Sequence, residues 1–142
     1  MEQTENNTSF QFRTFKILKS IIEIGEDKPS DSYNLRFIPS AIIKKSESCF
    51  IMTLKVNIND DNKAINIEIQ SIGEFFFQSN INKEELESYF YVNAPAILFP
   101  YIRAYITTLT TLSGINPIIL PTLNLSALGS QLKANTTELN EN

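Results

Sequence analysis

Apolar and polar residues alternate over residues 50–58: Phe50, Met52, Leu54, Val56 and Ile58 take one set of positions, and Ile51, Thr53, Lys55 and Asn57 the other. A period of two places the first set on one face of a strand. Asp60, Asp61, Asn62 and Lys63 form a turn-type cluster, and Ile65, Ile67 and Ile69 then alternate with Asn66, Glu68 and Gln70. The two runs predict a β-hairpin. Tyr33, Leu35 and Phe37 alternate with Asn34 and Arg36, which predicts a strand ending near Pro39. Residues 10–24 mix Phe, Ile, Thr and Lys and predict the first strand. Connections this short do not accommodate parallel crossovers. The first half therefore predicts a four-stranded antiparallel sheet, most simply a meander.

The periodicity then changes. Glu84, Glu85 and Glu87 begin a short acidic helical segment, where they complement the helix dipole. Asn93 reads as an N-cap, with Pro95 in the first turn where a missing N–H costs little. Leu98, Tyr101, Ile102, Tyr105, Ile106, Leu109 and Leu112 recur at three- and four-residue steps and mark a broad apolar helix face. Pro100 lies past the first turn and predicts a kink or a local unwinding. Gly114 reads as the C-terminal stop. Residues 115–125 are apolar but broken by Pro117 and Pro121, and Asn124 or Ser126 caps a short last helix through Leu132. Residues 1–8 and 133–142 are polar and read as flexible tails around a single domain, residues 9–132. The fold class is α+β: a four-stranded antiparallel sheet, a long helix, an apolar crossover loop and a short C-terminal helix.

Composition narrows the chemistry. The chain has no histidine and one cysteine, Cys49, which excludes His-based catalysis, zinc and iron–sulfur sites and any intrachain disulfide. Cys49 reads as a small apolar residue in a reducing compartment. A net charge of −4 argues against nucleic acid and anionic membrane as partners. The N-terminus lacks the pattern of a signal peptide, and no run is long enough to span a bilayer, so a cytoplasmic location is expected. Gly25, Gly73, Gly114 and Gly129 are isolated, so no phosphate loop is present. No cofactor and no enzymatic activity are expected.

Three features admit both a structural and a binding reading. The apolar helix face packs on the sheet or another subunit, or it walls a client site. The loop over 115–125 packs on its own helix, or it lines a groove for extended apolar peptide, because so apolar a loop must be covered by something. Phe75, Phe76 and Phe77 must point to both faces of a strand, which marks a doubly buried strand, an interface or an aromatic groove.

The stretch from Asn93 to Leu128 resembles the protein-export chaperone SecB family. The residues that carry the likeness are Ile97, Leu98, Phe99, Pro100, Tyr101 and Arg103, then Pro117, Leu120, Leu123, Asn124, Ala127 and Leu128. The resemblance implies a homotetramer, a dimer of dimers, that holds unfolded polypeptides in grooves without ATP and delivers them to the translocase motor SecA. It implies client contacts at Ile65, Ala94, Tyr101, Ile119 and Leu123. It implies motor docking through acidic residues on the exposed sheet face: Glu68 matches one, Ser20 stands where another acid is expected, and Glu23 lies nearby out of register. Some SecB-like proteins instead protect the antitoxin of a toxin–antitoxin system, so the functional expectation is a holdase for export, with an antitoxin chaperone as the alternative. A reading of another class is a small apolar-ligand-binding protein with a closed, aromatic-rich pocket.

Overall fold

The computed structural model describes residues 9–139. Its strands are β1 (Phe10–Ile24), β2 (Tyr33–Lys44), β3 (Cys49–Asp60), β4 (Ile65–Phe77) and β5 (Thr136–Leu139). Its helices are α1 (Lys83–Ser88), α2 (Ala94–Leu112) and α3 (Leu125–Ala134). The β3–β4 hairpin forms as the alternation predicts, with Val56 opposite Ile69 and Ile58 opposite Ile67. Its even-spaced apolar residues are buried, and the intervening polar ones lie on the other face.

The strands do not form a simple meander. The order is β1-β4-β3-β2-β5, so β1 lies beside β4 in a Greek-key arrangement. The chain between β1 and β2 must cross the ends of β4 and β3, and three hydrogen bonds hold it there. Gly25 N–H donates to Ala64 O (2.6 Å), Asn62 Nδ2 to Lys28 O (3.1 Å) and Ser30 N–H to Asp60 Oδ2 (2.9 Å). Asp60 also accepts from Ile65 N–H through Oδ1 at 2.9 Å, so one buried carboxylate ties the hairpin turn to the crossover. Burial opposes its ionisation, but the amides of Ile65 and Ser30 outweigh that penalty and hold its pKa below the usual aspartate value.

β2 runs through Pro39 to Lys44 rather than ending near the proline. Ala41 N–H donates away from β3, to Asn135 O, so the position two residues earlier faces the same open edge. Pro39 lacks its N–H on that side and breaks no bond to β3. The ordered domain also extends beyond Leu132. α3 continues to Ala134, and Thr136–Leu139 pair parallel to Ala41–Lys44 of β2. The polar sequence of this stretch gave no strand signal, because it adds to an existing edge through its backbone. The expected N-terminal tail, and residues 140–142 of the expected C-terminal one, lie outside the described residues.

The long helix starts earlier than Asn93. Asn82 caps α1, its Oδ1 accepting from Glu85 N–H at 2.8 Å, with Glu84 and Glu85 in the first turn. Helix continues through a π-type turn at Tyr89–Asn93 into α2, a rod of 30 residues. Pro95 thus sits within the rod, and the turn accommodates it: Ala94 N–H reaches back to Tyr89 O, while Pro95 has no N–H to return to Tyr91 O. The Tyr91 carbonyl instead faces Gly129 of α3, where any Cβ would collide with it. Gly73 of β4 plays the same part beneath Leu98, which is fully buried against the sheet. Asn124 caps α3 through Ala127 N–H, as its position suggests.

Two expectations follow. Gly129→Ala forces α3 off the helical rod and costs about 1–3 kcal/mol or more, read as a lower urea midpoint with an unchanged m-value. Asp60 has a folded pKa below its unfolded one, so its contribution is full above about pH 3.9 and is lost as pH falls through the folded value. Acid titration of thermal stability should be flatter for Asp60→Asn than for the parent chain in that range.

Candidate client-binding surface

The segment between α2 and α3 has no regular secondary structure, yet one residue fixes it to the helix. Ile118 N–H donates to Thr110 Oγ1 (2.9 Å), and Thr107 Oγ1 donates to Ile118 O (2.9 Å). Thr110 is itself fully buried and donates to Ile106 O at 2.8 Å. Both backbone groups of Ile118 are thus satisfied without a strand partner. Pinned there, the chain alternates: Ile118 and Leu120 point into the core, and Ile119 between them is 65% exposed. Leu123 is half-buried and packs against the core edge. Nothing in the sequence ties Thr107 and Thr110 to Ile118.

The five residues expected to contact client fall into two groups. Tyr101 is 46% exposed, stacked on Phe15 of β1 at 5.2 Å between ring centroids and tilted against Phe12 at 5.5 Å. Tyr101, Ile119 and Leu123 all present apolar surface. Ile65 and Ala94 are 1% and 0% exposed and have no surface to offer in this conformation. Ile65 does floor a cleft of about 240 Å³ between residues 28–33 and the loop start at Ile115–Pro117. Strand and loop are therefore brought together around Ile65, whereas Ala94 is enclosed at the π-type turn.

The outer sheet face gathers the charged residues. Glu23 lies opposite Asn66, and its Oε1 accepts from Asn66 Nδ2 at 3.2 Å. Glu68, two residues along the same face, pairs with Lys19 at 3.3 Å. Glu23 and Glu68 thus share a face. Ser20 does not: it points to the helix side, bonded to the Tyr105 hydroxyl at 2.6 Å. Phe75 is buried and Phe76 lies on the outer face under Arg13, 4.7 Å from guanidinium carbon to ring centroid. Phe77 borders a depression of about 550 Å³ at the α1 end of the sheet, which periodicity gave no reason to expect. The rings inside are packed on one another, Phe50 on Phe90 at 4.2 Å and Phe10 on Phe75 at 4.9 Å. Cys49 is buried, and burial, then the Glu74 and Glu47 carboxylates, push its thiol pKa up, so it stays protonated and unreactive near neutrality. No helix among the described residues is long and apolar enough to cross a membrane.

The family model for the preprotein translocase subunit SecB matches residues 14–136. The chain belongs to the SecB family. Relatives include the protein-export protein SecB of Azoarcus sp., 29% identical over 117 residues, covering 80% of this chain and 75% of that protein. The SecB of Magnetococcus marinus is 27% identical over 106 residues, covering 72% of this chain and 66% of that one. Among solved structures, the Mycobacterium tuberculosis Rv1957 SecB-like chaperone, in complex with a ChAD peptide from the Rv1956 HigA1 antitoxin, shares the fold with a TM-score of 0.69 at 21% identity. That match covers 82% of this chain and 88% of that one. SecB-family chaperones are non-enzymatic.

Thr110→Val keeps the shape of the side chain and removes the acceptor for Ile118 N–H. It should cost about 1–3 kcal/mol. Amide exchange at Ile118 should accelerate well beyond that at Leu54 in the sheet centre. Equal protection in parent and variant would mean that the hydroxyl does not hold the loop.

Proposed function

We propose that this SecB-family protein is an ATP-independent holdase that binds unfolded polypeptide along the outer side of the 113–124 loop. The observation that carries the reading is the loop itself: it is fixed to α2 through Ile118 and yet turns Ile119 to solvent. A pre-formed apolar surface binds extended chain without first ordering itself. Its selectivity is for apolar content and unfoldedness rather than for sequence, and repeated contacts along one client add avidity. Ile119, Leu123 and Tyr101 supply the surface. Ile65 and Ala94 join it only where the loop or the helical rod shifts. The setting is cytoplasmic, and the clients are proteins bound for export.

A homotetramer accounts for three further exposed apolar residues of the framework. Leu112 is 82% exposed at the end of α2, and Leu18 and Ile24 are exposed on β1. A second copy covering them removes this area from water at about 25 cal/mol per Å². Glu23 and Glu68 are the contact proposed for SecA. Docking through these exposed carboxylates should weaken with salt, although Lys19 already offsets part of the charge of Glu68. The antitoxin-chaperone reading draws support from the antitoxin peptide held by the Mycobacterium relative. Co-purification from the native host separates the two: an antitoxin in stoichiometric amount favours one, and SecA binding lost in Glu68→Lys favours the other.

The protein should suppress aggregation of unfolded clients, leave native ones alone and respond to no nucleotide. Leu123→Asp puts a carboxylate where client must exclude water and should weaken binding by roughly 1–3 kcal/mol, with subunit number unchanged by light scattering. Leu112→Asp should do the reverse, dissociating the assembly while each folded subunit still binds. If Leu123→Asp dissociates the assembly and client affinity per subunit stays intact, the loop is an interface and the holdase surface lies elsewhere.

A further inference from the structure

The outer face of the sheet has the opposite charge to the whole chain. Residues paired across a ladder point the same way, so the register puts Lys16, Lys19, Arg36, Lys44 and Lys55 on that face, and Arg13 reaches it over Phe76. Glu23, Glu68 and Glu74 are the carboxylates they share it with, in a chain whose net charge is −4. Three of the cations are already engaged: Lys19 with Glu68 at 3.3 Å, Lys44 with Glu47 at 3.9 Å, and Arg13 with the Phe76 ring. Lys16, Arg36 and Lys55 are exposed and have no ion pair among the described residues. These three lie on a diagonal. Lys55 stands opposite Ile38 of β2, Arg36 lies two residues along β2 opposite Asn57, and Lys16 stands on the other side opposite Ile72 of β4. With strands about 4.8 Å apart and about 3.4 Å per residue, the line crosses the sheet from β2 to β1 over roughly 20 Å. Ile38 and Ile72 are half-buried although they face away from the core. A cation and an isoleucine thus stand side by side at two of the three positions. Collected like charge repels itself, so folding does not account for the band.

We propose that this diagonal is the docking site for an acidic segment of a partner protein, whose carboxylates meet Arg36, Lys55 and Lys16 and whose aliphatic side chains lie on Ile38 and Ile72. Charge complementarity sets the class of partner: neighbouring unpaired cations reinforce one another within a Debye length and steer an anion toward the face. The interleaved isoleucines, with Glu68 and Glu74 beside the line, favour an acidic peptide over a phosphate backbone, which needs cations without interruption. The site lies on the face opposite Leu98 of α2 and the 113–124 loop, so it leaves the client surface free and does not depend on the holdase reading. Its sign is opposite to that of the contact proposed for SecA at Glu23 and Glu68. One variant separates the two: Glu68→Lys removes a SecA contact but frees Lys19 to join the band.

The test uses a fluorescein-labelled peptide of four Glu-Leu-Glu repeats, titrated by anisotropy into the full chain. Reversing two exposed cations, Arg36→Glu with Lys55→Glu, should weaken binding about tenfold or more, and Glu68→Lys should tighten it about threefold. The gain in Glu68→Lys keeps the proposal falsifiable should the double variant fold poorly. Binding should fall steeply between low and physiological salt. The same peptide with glutamine for glutamate should bind at least tenfold more weakly, and Leu123→Asp in the loop should leave the acidic peptide's affinity unchanged. Indifference to both charge variants, or equal binding of the glutamine peptide, overturns the proposal. Tighter binding of oligothymidylate or phosphatidylserine vesicles through the same cations also overturns it, since the partner is then not a protein. Aggregation suppression by the double variant is measured alongside. If it matches the parent chain while the peptide results are negative, this site fails and the loop reading stands. If the parent suppresses nothing while the acidic peptide responds to charge as stated, the loop reading fails and this site stands.

Discussion

One apolar sheet face has to be covered, and one helix is too narrow to do it. Five strands about 4.8 Å apart span roughly 19 Å between the outer pair, while a helix with its side chains is about 10 Å across. α2 lies over β1 and β4, with Leu98 on Gly73 and Tyr101 on Phe12 and Phe15. The β2 side is left to whatever follows α2 in the chain. α3 packs on β2, and the loop supplies Ile118 and Leu120 to the core between them. The loop is apolar because it fills the strip of core that α2 and α3 leave between them.

That requirement also creates the surface. An extended segment alternates, so a chain that buries Ile118 and Leu120 must turn Ile119 outward. A helix would have offered polar residues on its far side. Here the far side is apolar too, and the Thr107 and Thr110 hydroxyls satisfy the backbone that a sheet would have satisfied. Stable packing within and apolar presentation without come from adjacent residues of one segment.

The parts of this legible in the sequence are those that depend on neighbours along the chain. Period two gave the β3–β4 hairpin and period 3.6 gave α2, because each reports a single face. Asn124 and Glu84–Glu85 were legible as capping and dipole residues for the same reason. The placement of β1 beside β4 was not, since it depends on bonds between Asp60, Asn62 and the distant residues 25–30. Asn93 and Pro95 signalled a helix start. The π-type turn removed the need for one, and the true cap is Asn82. β5 carries no hydrophobic pattern, because its partner edge already exists. In the proposed client surface, residues 118–120 could be read as apolar but not as alternating, as the Ile118 anchor lies in two threonines eight and eleven residues upstream. Ile65 and Ala94 were matched by position within a family, which carries no information on burial.

The most direct test of the account is to compare neighbouring isoleucines of the loop during client binding. Methyl NMR of the protein with labelled isoleucine δ1 groups, titrated with a permanently unfolded client, resolves Ile118, Ile119 and Ile42. The account predicts large shifts or broadening at Ile119 and little change at Ile118, which stays anchored to Thr110 and Thr107. Perturbation confined to the sheet, with the Ile119 methyl unmoved at saturating client, would contradict it.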